Sequence, residues 1–170
     1  MFEKFFPNLA YNSINDIDLS LLKSKGIKGF ILDIDNTLVP HNADADENAV
    51  KWMGKIQQEG FKACIVSNAS SSRVIKFNEN IKVHAIHRAS KPGIRAYNQA
   101  KELMGITAEE TVVVGDQIFT DIYGGNRAGM LTILVQPIGP KETVFIKLKR
   151  VFEKFVFIFY KRSLKKAGKK

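Results

Sequence analysis

Gly29-Phe30-Ile31-Leu32-Asp33-Ile34-Asp35-Asn36-Thr37 is the stretch on which the reading of this chain turns. The first four residues read as a short buried strand, and the acids and small polar residues after them as the loop at its carboxyl end. Two carboxylates two residues apart repel each other there and do nothing for a fold. They make sense where a cation lies between them and an electrophile lies in front. That combination points to phosphoryl transfer onto an aspartate in the presence of a divalent metal.

Outward from this strand, short apolar runs alternate with helical patterns. The first strand covers Phe30 to Asp33. A helix is predicted from Asp46 to Glu59, with Val50, Met53, Ile56, Ala49 and Trp52 as its apolar face and Gly60 as its stop. A second strand covers Phe61 to Ser67. Ser70 or Ser71 caps a helix through Asn78, and Val83 to Ile86 is a third strand. Lys91-Pro92 opens a helix that runs through Met104 and ends at Gly105. Thr111 to Gly115 is a fourth strand, about Thr120 to Ala128 a helix, and Leu131 to Val135 a fifth strand. This pattern predicts an α/β three-layer sandwich around a central parallel sheet. Three segments are expected: residues 1–27 packing on the core, a domain over 28–140, and a tail over 141–170.

The 170 residues are 45% hydrophobic, enough for one core. The single cysteine, Cys64, excludes an intrachain disulfide and a cysteine-rich metal site, and its strand context predicts a packed, inert thiol. No secretory signal is apparent at the start, where Glu3 and Lys4 interrupt the apolar residues. No stretch reaches the ~20 apolar residues of a membrane span. Charge is unevenly placed. Residues 147–170 hold ten of the 26 basic residues and one acid, so the net charge of +9 belongs to that segment and the rest is neutral.

Polar features recur at successive strand ends: Asp33 and Asp35, Ser67-Asn68, Lys91, and Asp116. Parallel sheets bind ligands at those ends. Each feature alone is an ordinary loop or turn residue; together and in order they define a site. Asp33 is the candidate nucleophile. Asp35 is the candidate general acid, and then the base for the attacking water. Ser67 and Asn68 can donate to phosphoryl oxygens, and Lys91 adds positive charge to them. Asp116 is a hard oxygen ligand suited to Mg2+. Asp121 is expected to orient Lys91 or a metal-bound water from behind.

Asp33-x-Asp35-x-Thr37, Val66-Ser67-Asn68, Lys91-Pro92 and Gly115-Asp116 through Asp121 resemble the four motifs of the haloacid-dehalogenase (HAD) superfamily of phosphohydrolases. Asp35 places the resemblance with phosphatases rather than with pumps or dehalogenases, which lack that acid. The wider wording, Asp33-Ile34-Asp35-Asn36-Thr37-Leu38-Val39, Gly115-Asp116-Gln117 and Thr120-Asp121-Ile122-x-Gly124-Gly125-Asn126-Arg127, resembles the subclass IIIA bacterial proteins related to the mitochondrial phosphatidylglycerophosphate phosphatase. The likeness covers about residues 28–135 and extends to Phe6-Pro7-Asn8. It implies an HAD-like Rossmannoid fold and removal of phosphate from phosphatidylglycerophosphate to give phosphatidylglycerol. The expected metal set is Asp33, the main-chain carbonyl of Asp35, and Asp116, with Asp121 and Thr37 behind them.

The intervals Asp35–Ser67 and Ser67–Lys91 leave no room for an inserted cap domain. An uncapped pocket suits a phosphate presented on something large. Gly124-Gly125-Asn126-Arg127-Ala128-Gly129 looks only superficially like a dinucleotide loop, and close helix–sheet packing explains its small residues better. His41, His84 and His87 are too scattered for a zinc site. His41 and His87 are placed at the pocket mouth or on the surface; Arg73 and Arg88 are candidates for a second phosphate or the headgroup. From Val144, Phe145, Leu148, Phe152, Phe155 and Phe159 recur at three- and four-residue steps among basic residues. Such a basic amphipathic tail reads as binding an anionic phospholipid surface. Packing on the body and nucleic-acid binding are the other readings. The expectation is a peripheral protein on the cytoplasmic face of the inner membrane. An uncapped phosphatase for nucleotides, sugar phosphates or phosphoproteins, and a non-catalytic RNA- or ribosome-associated module, are the alternatives.

Overall fold

The computed structural model describes residues 2–139. The amphipathic reading of the tail lies outside these residues. Six parallel strands form one sheet in the order β1-β6-β5-β2-β3-β4. They are β1 (Leu9–Tyr11), β2 (Gly29–Leu32), β3 (Lys62–Val66), β4 (His84–Ile86), β5 (Thr111–Gly115) and β6 (Leu131–Val135). The helices are α1 (Leu19–Ser24), α2 (Glu47–Gln58), α3 (Ser71–Asn78), α4 (Arg95–Met104) and α5 (Tyr123–Arg127). This is the three-layer α/β sandwich around a parallel sheet expected from the alternation.

Period-two alternation along the strands divides the core into two layers. Phe30, Leu32, Ala63, Ile65, Val112 and Val114 face the side covered by α1, α2 and α3. Ile31, Cys64, Val66 and Val113 face the side of α4, where Tyr97, Ala100 and Met104 pack. Strands buried on both faces are continuous apolar runs, which is why they were legible.

On α2 the buried stripe is Ala49, Trp52, Met53 and Ile56, spaced i, i+3, i+4, i+7, while Val50 is 39% exposed. Val50 is therefore a correction to the expected apolar face: it stands 100° round the helix from Ala49, at the stripe's edge.

Two helix starts also differ from the sequence reading. The helix expected from Lys91 begins at Arg95. Asn68 grips the main chain of Lys91 on both sides, accepting from its N–H at 2.8 Å and donating to its carbonyl at 3.3 Å, and a turn closes from Gly93 N–H to the Ser90 carbonyl. That grip holds residues 91–94 out of the helix. The helix expected from Thr120 is instead a π-helical turn, Ile118–Ile122, running into α5. The Asp121 carboxylate takes the N–H of Gln117 at 3.1 Å, and the buried Tyr97 hydroxyl donates to the Thr120 carbonyl at 2.9 Å. Both contacts fall within this wider turn, and such turns recur at functional sites.

The first 27 residues contribute an edge strand. Leu9–Tyr11 pairs with Ile133–Val135, fastened by Asn8 and Asn126. Asn8 Oδ1 accepts from the Thr132 N–H at 2.8 Å, and Asn126 Nδ2 donates to the carbonyls of Lys4 and Phe6 at 2.8 and 2.9 Å. Among the described residues, no helix is long and apolar enough to cross a membrane.

Candidate active site

The order β1-β6-β5-β2-β3-β4 reverses direction between β2 and β5, so the carboxyl ends of those two adjacent strands frame a crevice. Asp33 follows β2 and Asp116 follows β5. Ser67 follows β3. Lys91 arrives from the loop before α4, and Asp121 from the π-helical turn. All five are buried: Asp33 8%, Ser67 2%, Lys91 8%, Asp116 2% and Asp121 1% exposed.

Lys91 is the hub. Its Nζ lies 2.9 Å from Asp33 Oδ1 and 2.7 Å from Asp121 Oδ1. Burial alone pulls the ammonium's pKa down, but the charges of Asp121 and Asp33 outweigh it and hold Lys91 above its usual value. Burial pushes the Asp33 carboxyl up to about 6, helped by the charge of Asp121 and opposed by Lys91. The nucleophile candidate is thus a carboxylate poorly stabilised by its surroundings, which suits attack on an electrophile.

One oxygen each from Asp33, Asp116 and Asp121 lie within 4.8 Å of one another. Three buried carboxylates against one buried ammonium leave a net negative centre, which a divalent cation fits. Asp121 stands closer to that centre than the sequence reading placed it, while also holding Lys91 as expected. Thr37 Oγ1 donates to Asp116 Oδ1 at 3.4 Å from behind. Gly115 makes the approach of Asp121 possible: a Cβ there would stand 2.3 Å from Asp121 Cγ. Gly124 and Gly125 do the same for helix packing, with an added Cβ meeting Tyr97 at 2.5 Å and Thr132 at 2.7 Å. Close packing therefore accounts for those two glycines.

Asp35 stands at the pocket mouth. Its Oδ1 accepts from the N–H of Asn42 at 2.9 Å and from Arg73 Nη2 at 3.0 Å. Ser67 Oγ accepts from the Ala69 N–H at 3.2 Å, leaving its own hydrogen available to the pocket. Asn68 also lines the pocket, and its grip on Lys91 gives it a positioning task the sequence did not reveal. The open pocket measures about 330 Å³. Asp33, Asp35, His41, Ser67, Arg73 and Lys91 all line it. His87 and Arg88 are exposed on the loop after β4 and are not brought into it. Sequence reasoning missed Gln117 and Thr120 as lining residues, and Tyr97 as the buttress of the turn that carries Asp121. The four-residue spacing of Gln117 and Asp121 around Thr120 was the available signal.

Between β2 and β3 the described chain contains only loop and α2, and between β3 and β4 only α3, so no cap covers the pocket from those positions.

Residues 2–139 match the family described as mitochondrial PGP phosphatase, PGP being phosphatidylglycerophosphate. The chain is 37% identical over 165 residues to the probable phosphatase YqeG of Bacillus subtilis, covering 96% of each. It is 30% identical to phosphatidylglycerophosphate phosphatase 1, chloroplastic/mitochondrial, of Arabidopsis thaliana, covering 96% of this chain and 49% of that one. The chain thus spans about half the length of the plant relative. The fold is similar to the cobalt-bound deoxy-D-mannose-octulosonate 8-phosphate phosphatase of Haemophilus influenzae, with TM-score 0.55 and 16% identity over 75% of this chain and 77% of that one. With the motif aspartates gathered around one lysine in a fold of this kind, the chain belongs to the mitochondrial PGP phosphatase family and is a phosphoric monoester hydrolase.

Proposed function

We propose that this enzyme hydrolyses phosphatidylglycerophosphate to phosphatidylglycerol through an aspartyl-phosphate on Asp33, with Mg2+ as its metal. The observation that carries the chemistry is the pairing of buried Asp33 with Lys91 at 2.9 Å, facing a pocket whose mouth holds Asp35. Support for the substrate comes from the family match, from curated relatives of Arabidopsis and Chlamydomonas reinhardtii named as phosphatidylglycerophosphate phosphatases, and from the uncapped pocket.

Asp33 attacks phosphorus while the bond to the glycerol oxygen breaks, and Asp35 gives that oxygen its proton. Asp35 then takes a proton from water, which attacks the phosphoryl group and frees Asp33. Lys91 and Ser67 bind the equatorial phosphoryl oxygens. Asp121 and Asn68 hold Lys91 in place. Asp33, the main-chain carbonyl of Asp35 and Asp116 would hold Mg2+, with Asp121 and Thr37 behind them. Bound there, the ion neutralises charge gathering on the phosphoryl oxygens.

The tail supports a membrane surface as the place of action. The N–H of Ile138 donates to the Asn36 carbonyl at 2.9 Å, so the described chain ends beside the catalytic loop. Residues 140–170, with their basic and aromatic content, follow from that point. An anionic bilayer at the cytoplasmic face of the inner membrane is the proposed partner.

Phosphate release from phosphatidylglycerophosphate in mixed micelles, with Mg2+ and with chelator, tests this reading. Mg2+-dependent release is the expected result. Absence of release by a preparation that hydrolyses a generic phosphomonoester would discard the lipid and turn the search to soluble phosphates.

A further inference from the structure

All three buried side-chain nitrogens that lack a hydrogen-bond partner among the described residues belong to two residues of one pocket: Nδ1 of His41, and Nε and Nη1 of Arg73. Buried donors are almost always paired, and a buried guanidinium more so. Arg73 sits on the first turn of α3. Only its Nη2 is engaged, donating to Asp35 Oδ1 at 3.0 Å and to the Ala43 carbonyl at 2.6 Å. Its guanidinium lies over the Phe77 ring, 5.5 Å from the centroid, so the plane is held. His41 Nδ1 stands 4.0 Å from the same Asp35 oxygen. Lys91 stands with Asp33 and Asp121, where the transferred phosphoryl group is bound.

His41 and Arg73 therefore flank Asp35 in the pocket that all three line. In the proposed mechanism Asp35 touches the leaving oxygen, so groups beside it meet the leaving group and not the phosphoryl being transferred. We propose that His41 and Arg73 form a subsite for a second phosphate, one carried by the leaving group. This rests on the assignment of Asp35 as the acid of the reaction. The Nε–H and Nη1–H of Arg73 lie on different edges of the guanidinium, so each offers a phosphate oxygen one charge-assisted hydrogen bond. The enzyme then selects substrates with two phosphates separated by a short linker, whether lipid headgroup or soluble ester.

The test compares glycerol 3-phosphate, with one phosphate, and the deacylated headgroup glycerophosphoglycerol phosphate, with two. The wild type is expected to show kcat/KM at least ~10-fold higher for the second compound, the scale of one charge-assisted contact. Arg73→Gln is expected to bring that ratio close to one, Arg73→Lys to retain part of it, and His41→Asn to reduce it. Equal kcat/KM for both compounds in the wild type overturns the subsite. So does an Arg73→Gln protein that loses activity on both in the same proportion, since Arg73 then acts only through Asp35. If Arg73→Gln does not fold, His41→Asn supplies the readout, and an undiminished ratio in that variant overturns the subsite.

Intact phosphatidylglycerophosphate in micelles is the third arm and separates this inference from the substrate reading. No release from the lipid, with the soluble preference intact, removes the lipid and keeps the subsite. Lipid hydrolysis at equal kcat/KM in wild type and Arg73→Gln does the reverse.

Discussion

At the scale of single residues, Asp33 trades stability for reactivity. Its pKa in the fold, about 6, is above the ordinary 3.8. A raised carboxyl binds its proton more tightly folded than unfolded. Its ionisation therefore destabilises the fold, and the penalty grows as pH rises from the unfolded value through about 6. Asp33→Asn removes that charge. The variant is expected to lose phosphatase activity, yet at pH 7.5 without metal to unfold at a higher temperature than the wild type, by on the order of 1 kcal/mol. Matched melting curves at pH 7.5 check this; a lower Tm for Asp33→Asn contradicts it. Cys64 gives a second case. It is fully buried in β3, and burial pushes its thiol up to about 12. A thiol reagent at pH 8 is expected to leave the native protein unlabelled and to modify it stoichiometrically in denaturant.

At the scale of elements, the π-helical turn decides whether the site exists. It delivers Asp121 over Gly115, where even one methyl group collides at 2.3 Å. Gly115→Ala is expected to cut kcat by at least ~100-fold, the scale of losing an oriented charge at the reacting centre, while the protein stays folded. Activity within a few-fold of wild type would show that Asp121 has no such role. The edge strand is held by polar contacts more than by core. Asn126→Ala removes the amide that ties the carbonyls of Lys4 and Phe6 to α5 and is expected to destabilise the fold by about 1 kcal/mol in urea titration. Amide exchange is expected to rise in β1 before β2 or β5.

These two elements also mark where the sequence stopped being readable. Strands β2, β3, β5 and β6 were legible because burial on both faces makes them continuous apolar runs. The four motif positions were legible because a parallel sheet gathers its strand ends. Leu9–Tyr11 was not, being three residues long and defined by pairing with β6 rather than by its own pattern. The π-helical turn and the late start of α4 depend on Tyr97, Asp121 and Asn68 reaching across the fold, which no local pattern encodes. Arg73 and Arg88 were equal candidates for a second phosphate in the sequence; only the fold separates them, since Arg73 lines the pocket and Arg88 does not.

For the whole molecule, charge and chemistry are segregated: a neutral body carries the catalytic groups, and residues 147–170 carry the net charge. A chain ending near Lys141 is expected to keep its activity on a soluble phosphomonoester. It is expected to lose most of its binding to phosphatidylglycerol-rich vesicles, and the intact chain's binding is expected to weaken with salt. Vesicle sedimentation with both chains checks this, and equal binding would assign the membrane contact to the body. The most direct test of the account uses phosphatidylglycerophosphate labelled in its terminal phosphate. The enzyme is mixed with the lipid and Mg2+, quenched in acid within one turnover, and the label is mapped by peptide mass spectrometry. The account expects a transient label on Asp33, absent in Asp33→Asn, that decays as phosphate appears. Phosphate release by the wild type with no label on the protein, or undiminished release by Asp33→Asn, would contradict it.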